Sequence, residues 1–310
     1  MRTIALLVMV ALGGSAATAR AAAPTVLATI AQIGQPLAVI AGDCVRVGSL
    51  LGEGVDPHLY QPTRADMKRL LAADLVLANG HNLEAGLRRA LDALAGQGKV
   101  LFVAESLERG RLLPWSDYHS DPHVWMDPAL WRDALAAAVA RMAALVPDCA
   151  TTMTERAQAH AARLAALDAY TAAAMDSIPT GRRVLVTAHD AFAYFGRRYA
   201  IELHGVQGIS TESEAGLARI EQLVRLLVDR RIPAVFVETS VSDRLVEALI
   251  EGAAAAGHTV RIGGTLFSDA MGAPGSYRGT YFGMLDHNAT TIARALGGRA
   301  AGFSPDFAKD

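Results

Sequence analysis

Short apolar runs alternate along this chain with stretches whose apolar residues recur at helical spacing. In the first half the runs TVLATI, CVRVGSLL, DLVLAN and KVLFVAE predict strands, and 31–40, 63–72, 83–94 and 128–145 predict helices. The second half repeats the grammar: RVLVTAH, IELHGVQ, AVFVET and TVRIGG as strands, with helices over 192–199, 215–229, 244–255 and 281–296. Strands alternating with helices imply right-handed βαβ units and parallel sheets, so the fold class is α/β, in two lobes.

Between the halves, residues 148–176 are alanine-rich and contain neither glycine nor proline, and Pro147 and Pro179 bound them. That composition predicts one long helix, roughly 40 Å from end to end, stiff enough to act as a strut. The expected division is a leader over 1–21, a lobe over 24–147, the connecting helix over 148–178 and a second lobe over 179–310.

The leader is read from MRTIALLVMVALGGSAATARAAAP, where Arg2 precedes an apolar run from Ile4 to Leu12 and small residues follow. This is the pattern of a secretory signal peptide, and its apolar run is far shorter than the ~20 residues a membrane span needs. No cysteine follows it, so the expectation is a periplasmic protein without a lipid anchor. An oxidising compartment permits Cys44, placed in a predicted strand, to pair with Cys149 at the start of the long helix; two buried thiols are the other reading. With 52% hydrophobic and 19% charged residues the chain can form packed cores. Its 29 Lys and Arg against 31 Asp and Glu, with no basic cluster, argue against a nucleic-acid partner.

The candidate chemistry lies after the strands, where open α/β sheets bind their ligands. His58 stands in DPHLYQPT, His123 in DPHVWMDP, His189 in VLVTAHDAF and Asp269 in GGTLFSDAMG. Three imidazoles and a carboxylate can complete a tetrahedral metal site at the lobe interface. His58 and His123 share the tripeptide Asp-Pro-His, whose proline stiffens the loop that presents the ring. The remaining histidines draw plainer readings. His81 belongs to a solvent-facing turn, His119 to an exposed loop, His204 to a packed strand, and His160, His258 and His287 to the surface. Asp66, Glu84 and Glu238 are expected to cap helices or to hydrogen-bond behind the ligands.

The segments GEGVDPHLYQPTRADMKRLLAADLVLANGHNLE, DPHVWMDP, VLVTAHDAFAYFGRRYAIE, QGISTESEA, FVETSVSD and LFSDAM, in this order, resemble the zinc and manganese solute-binding proteins of ABC importers, the TroA/ZnuA-like family. The resemblance implies two α/β lobes joined by a single long helix, one metal between them, and ligands at His58, His123, His189 and Asp269. It also implies a membrane permease with its ATPase as partner, with or without a metallochaperone, and a monomeric chain. Histidine in third place is similar to members associated with zinc, and imidazole-rich sites suit zinc where manganese prefers oxygen; manganese is the alternative cargo. The chain departs from many zinc-associated members in lacking a long histidine-rich loop, since only His119 stands between Glu108 and Asp121.

Two other classes compete. A zinc hydrolase would need an open metal position, which four protein ligands close. A cleft for a larger ligand such as a siderophore would need aromatic lining, here confined to Trp115, Tyr118, Trp125 and Trp131 among 6% aromatic residues. Two further expectations concern release: affinity should fall as pH drops through about 6.5, the ordinary histidine value, and the glycine-flanked Asp269 segment should be the mobile arm.

Overall fold

The structure, a computed structural model, describes residues 22–213 and 215–303, so the expected leader over 1–21 lies outside the described residues. In the first lobe β1 (Thr25–Ala28), β2 (Arg46–Ser49), β3 (Leu75–Ala78) and β4 (Val100–Phe102) form a parallel sheet in the order β2-β1-β3-β4. Its helices are α1 (Ala31–Ala41), α2 (Arg64–Ala72), α3 (Arg88–Ala95) and α4 (Pro128–Leu145). The central strand β3 reads LVLA and is buried at every residue, as befits a strand covered on both faces.

The connecting helix α5 (Ala150–Asp176) runs unbroken through the stretch without glycine or proline. Beyond it β5 (Val184–His189) pairs in parallel with β6 (Glu202–Gln207), and β7 (Ala234–Glu238) with β8 (Arg261–Leu266). Strands β5 and β7 lie side by side. Around them pack α6 (Ala193–Tyr199), α7 (Leu217–Asp229), α8 (Arg244–Ala255) and α9 (Tyr281–Ala295). The molecule is thus two α/β lobes joined by one long helix.

Helix starts follow local chemistry. Thr63 and Asp66 form a reciprocal capping box on α2, so Asp66 serves as a cap. Asp127 caps α4 by accepting from the N–H groups of Ala129 and Leu130, with Pro128 in the first position, where its missing N–H costs nothing.

Cys44 and Cys149 form a disulfide. Cys44 was expected in a strand, yet it ends a 3₁₀ turn over Gly42–Cys44, and the strand begins only at Arg46. The bridge ties the first lobe to the foot of α5 and spans 105 residues of sequence. By chain entropy, a loop of about 100 residues closed in this way stabilises the fold by about 4.7 kcal/mol.

Each lobe has an outer core of its own. Leu70, Val76, Leu87 and Leu91 pack together in the first, and Val186, Leu223, Val235 and Leu249 in the second. The inner faces share one continuous core that includes Ile33, Trp125 and Trp131 from the first lobe, Leu164 and Leu167 from α5, and Phe192, Phe236 and Tyr281 from the second.

Candidate metal centre

His58 and His123 are held by the same local device. Asp56 Oδ1 accepts the backbone N–H of His58 at 2.8 Å, and Asp121 Oδ1 that of His123 at 2.9 Å, so each Asp-Pro-His folds into a turn closed by its own aspartate. Asp121 also holds His123 Nδ1 at 2.7 Å, which turns Nε2 inward. His189, the last residue of β5, receives its brace from the neighbouring strand. Glu238, the last residue of β7, accepts the His189 N–H at 2.9 Å and lies 2.6 Å from its Nδ1. Asp269 follows β8, and the Asn288 side chain bonds both the N–H and the C=O of Phe267 beside it.

The structure brings all four predicted residues together, and each is buried. His58 Nε2 and His123 Nε2 are 3.3 Å apart, and Asp269 stands 3.7 Å from His58, 3.3 Å from His123 and 3.2 Å from His189. Four donors placed tetrahedrally at the bond lengths zinc favours are about 3.3 Å from one another. Neither Asp269 oxygen nor His189 Nε2 has a hydrogen-bond partner among the described residues, although all three atoms are buried. Buried polar atoms without partners are costly, and a shared cation would satisfy them at once.

Charge is unevenly spread over the three rings. Burial pulls His123 down, but the charge and hydrogen bond of Asp121, with help from Asp269, outweigh it and raise it to about 9. His189 is likewise depressed by burial and carried well above the ordinary histidine value by Glu238 and Asp269. For His58 burial wins over the pull of Asp269, and the neighbouring rings add to it, leaving it lowered to about 3. Asp269 is raised by burial but held well below the usual carboxylate range by His189 and His123.

The other assignments meet mixed outcomes. His160 was expected at the surface but is buried against Phe282, its ring 4.9 Å away, and burial with the nearby Arg163 lowers it to about 4. His81 is half-buried and left-handed, with φ of 49°. His119 packs beside Trp115 and stands outside the four-residue cluster. His258 and His287 are tied to the backbone carbonyls of Ile232 and Thr265. Glu84 lies buried behind the site, accepting from Thr29 and from the N–H groups of Asn79 and Gly80. Trp125 and Trp131 are core residues and Tyr118 is 85% exposed, so no aromatic cleft forms from them.

Sequence reasoning overlooked Asp56 and Asp121, although a carboxylate two residues before a histidine is itself the signal of a self-closing turn. In this arrangement the Asp269 segment is held in place: Asp269 is 2% exposed, and the carbonyl of Ser268 before it accepts hydrogen bonds from Trp125 and Gln32 of the other lobe.

Comparison with known proteins finds relatives over most of the chain. The family profile of zinc-uptake complex component A, periplasmic, matches residues 26–295. The chain is 43% identical over 272 residues to the manganese-binding lipoprotein MntA of Bacillus subtilis, covering 87% of this chain and 89% of that one. It is 42% identical to the zinc-binding protein TroA of Treponema pallidum, covering 91% and 92%. A solved structure of the periplasmic zinc-binding TroA from that organism superposes with a TM-score of 0.86 at 43% identity, over 88% of this chain and 99% of that one. A more distant relative, at 27% identity over 87% of this chain and 88% of that one, is the metal ABC transporter substrate-binding lipoprotein SsaB of Streptococcus sanguinis.

These relatives overturn one expectation. MntA and SsaB are named lipoproteins, which conflicts with a periplasmic protein free of any lipid anchor. The expectation rested on the lack of a cysteine behind the apolar run, an argument drawn wholly from residues outside those described. Export itself accords with the Cys44–Cys149 disulfide, a bond that persists in oxidising compartments.

Proposed function

The chain belongs to the family of zinc-uptake complex component A, and on that premise we propose that it captures zinc and delivers it to an ABC importer. The ligands in this reading are His58, His123 and His189 through Nε2, and Asp269 through its carboxylate. One observation carries it: His58 Nε2 lies 3.3 Å from His123 Nε2, an Asp269 oxygen lies 3.2–3.7 Å from each of the three rings, and one donor atom from each of the four residues falls within 4.8 Å of the others, spacings that suit a zinc tetrahedron. TroA is named for zinc and MntA for manganese, so the choice of metal rests on the donor set. Three nitrogens and one carboxylate suit zinc, whereas manganese favours oxygen ligands and octahedral coordination.

Four protein ligands leave zinc no open position for water, so the chain binds its cargo without transforming it. The importer supplies a permease and an ATPase, and the chain meets them as a monomer. Residues 24–147 and 179–310 are the two halves of the clasp, with 148–178 as the bar between them.

Metal analysis and competitive titration test the reading. The protein should bind one zinc per chain and prefer it to manganese. Alanine at His58, His123, His189 or Asp269 should weaken zinc about a hundredfold to a thousandfold each, an equal share of the binding energy of a structural zinc. His119→Ala should change it less than about twofold, in line with a surface substitution. Two tight sites of equal affinity, or a His119 variant as weak as the His123 variant, would sink it.

A further inference from the structure

The ligand-bearing backbone of each lobe is held by side chains of the other. From the second lobe, Tyr194 on α6 donates its hydroxyl to the carbonyl of Asp121 at 2.9 Å, and Tyr281 on α9 donates to that of Trp125 at 2.6 Å. These two carbonyls bracket His123. From the first lobe, Trp125 Nε1 donates to the carbonyl of Ser268 at 3.0 Å and Gln32 Nε2 to the same oxygen at 3.3 Å, one residue before Asp269. Tyr194, Tyr281, Trp125, Gln32 and Ser268 are all completely buried or nearly so, and none of these bonds lies within a single lobe.

We propose that Tyr194, Tyr281, Trp125 and Gln32 are positioning residues that form a reciprocal clamp, through which the placement of His123 and Asp269 depends on the lobes being pressed together. The inference rests on the four-ligand reading. If the lobes part, the carbonyls next to these two ligands lose their donors in the same step, so separation loosens the metal and the bound metal resists separation. In water the lost bonds would be replaced cheaply. Inside a dry interface each unpaired carbonyl is expensive, and this makes the clamp close fully or open fully. Burial holds both tyrosine hydroxyls far above the ordinary range, so they remain donors at any physiological pH.

The clamp governs retention more than capture, since its bonds exist only when the lobes are closed. Trp125→Phe keeps an aromatic ring in the core and removes one donor. Zinc dissociation, followed by transfer to a chelator in stopped flow, should quicken roughly fivefold to tenfold, the worth of one hydrogen bond, with association unchanged. A purely structural defect would speed release in any background. If Trp125 acts through Asp269, the same substitution made in Asp269→Ala should add nothing. Tyr281→Phe gives an independent arm, with the same acceleration expected through His123.

Parent-like release in both W125F and Y281F, or an undiminished effect of W125F in the Asp269→Ala background, would overturn the clamp. Retention of parent affinity by the alanine variants at the four ligands would overturn the site reading instead, so the two failures are distinguishable.

Discussion

In the first lobe the ligands stand well away from the sheet: β2 ends at Ser49 and β4 at Phe102, long before His58 and His123. In the second, His189 is the last residue of β5, and Asp269 comes soon after β8 ends at Leu266. The lobes are otherwise built alike. The order β2-β1-β3-β4 in the first is matched in the second by β6 paired to β5, β5 beside β7, and β7 paired to β8. A ligand on a strand is positioned by the sheet and can borrow a brace from the next strand, as His189 does from Glu238. A ligand far out on a loop must bring its brace with it. The two Asp-Pro-His turns do so within three residues.

The largest effect that could sharpen this contrast is that of pH. In the metal-free protein His123 and His189 both hold protons well above neutrality, whereas His58 is already neutral. Zinc needs all three rings neutral, so between pH 8 and pH 6 binding must expel protons, and affinity falls as pH falls. With two protons expelled, the loss should be about a hundredfold per pH unit, or roughly ten-thousandfold over this window. The fall therefore begins near pH 9 and not at the ordinary histidine value, and the braces shift it. Calorimetry in buffers of differing ionisation enthalpy would count the released protons. No release at pH 8 would show that the two braces do not protonate their rings.

Smaller effects are expected from the braces themselves. Glu238→Gln and Asp121→Asn keep the shape of each side chain and remove its charge, and each should weaken zinc roughly tenfold. Glu238 accepts the His189 N–H with one oxygen and faces Nδ1 with the other, so Gln can keep only one of these contacts and should disturb ring orientation in crystals of the variant. Asp121→Asn can still close its turn through the amide oxygen and should leave the His123 loop in place. If both loops move, or neither does, the distinction between sheet brace and loop brace fails.

The smallest effect on binding should come from the disulfide. It ties only the first lobe to α5, and neither cysteine belongs to the four-residue cluster. Replacing both cysteines by serine should lower stability by up to about 4.7 kcal/mol while leaving zinc affinity within about twofold. Denaturant melts and titrations of the same variant would check this. A large loss of affinity at unchanged stability would mean the bridge tunes the site.

The same contrast explains what could be read from the chain. The helices and strands were legible because local rules fix them: the glycine-free run gave α5 nearly to the residue, and apolar spacing placed α2 and α4. The four site residues were legible because they are the types that ligate and they lie beyond strands. The position of Glu238 relative to His189 was not, because only the register of β5 beside β7 brings them together. Nor was the hold on Asp269. Glycines flank its segment, which suggests freedom, but the restraints come from Asn288, Trp125 and Gln32, far away in sequence. His160 failed for a similar reason, since a helix position reveals its burial only when the partner Phe282 is known.

Trp125 sits with its indole 5.2 Å from the His123 ring, edge to face, sealed from solvent. An indole beside a protonated imidazole is quenched, and exchanging that proton for a metal alters its emission. The protein therefore carries its own optical gauge of occupancy, placed against a ligand and needing no added dye. Trp131, packed on Trp125 at 6.2 Å, shares that environment, while Trp115 lies apart beside His119. Loading and unloading can accordingly be followed by light in the unlabelled chain.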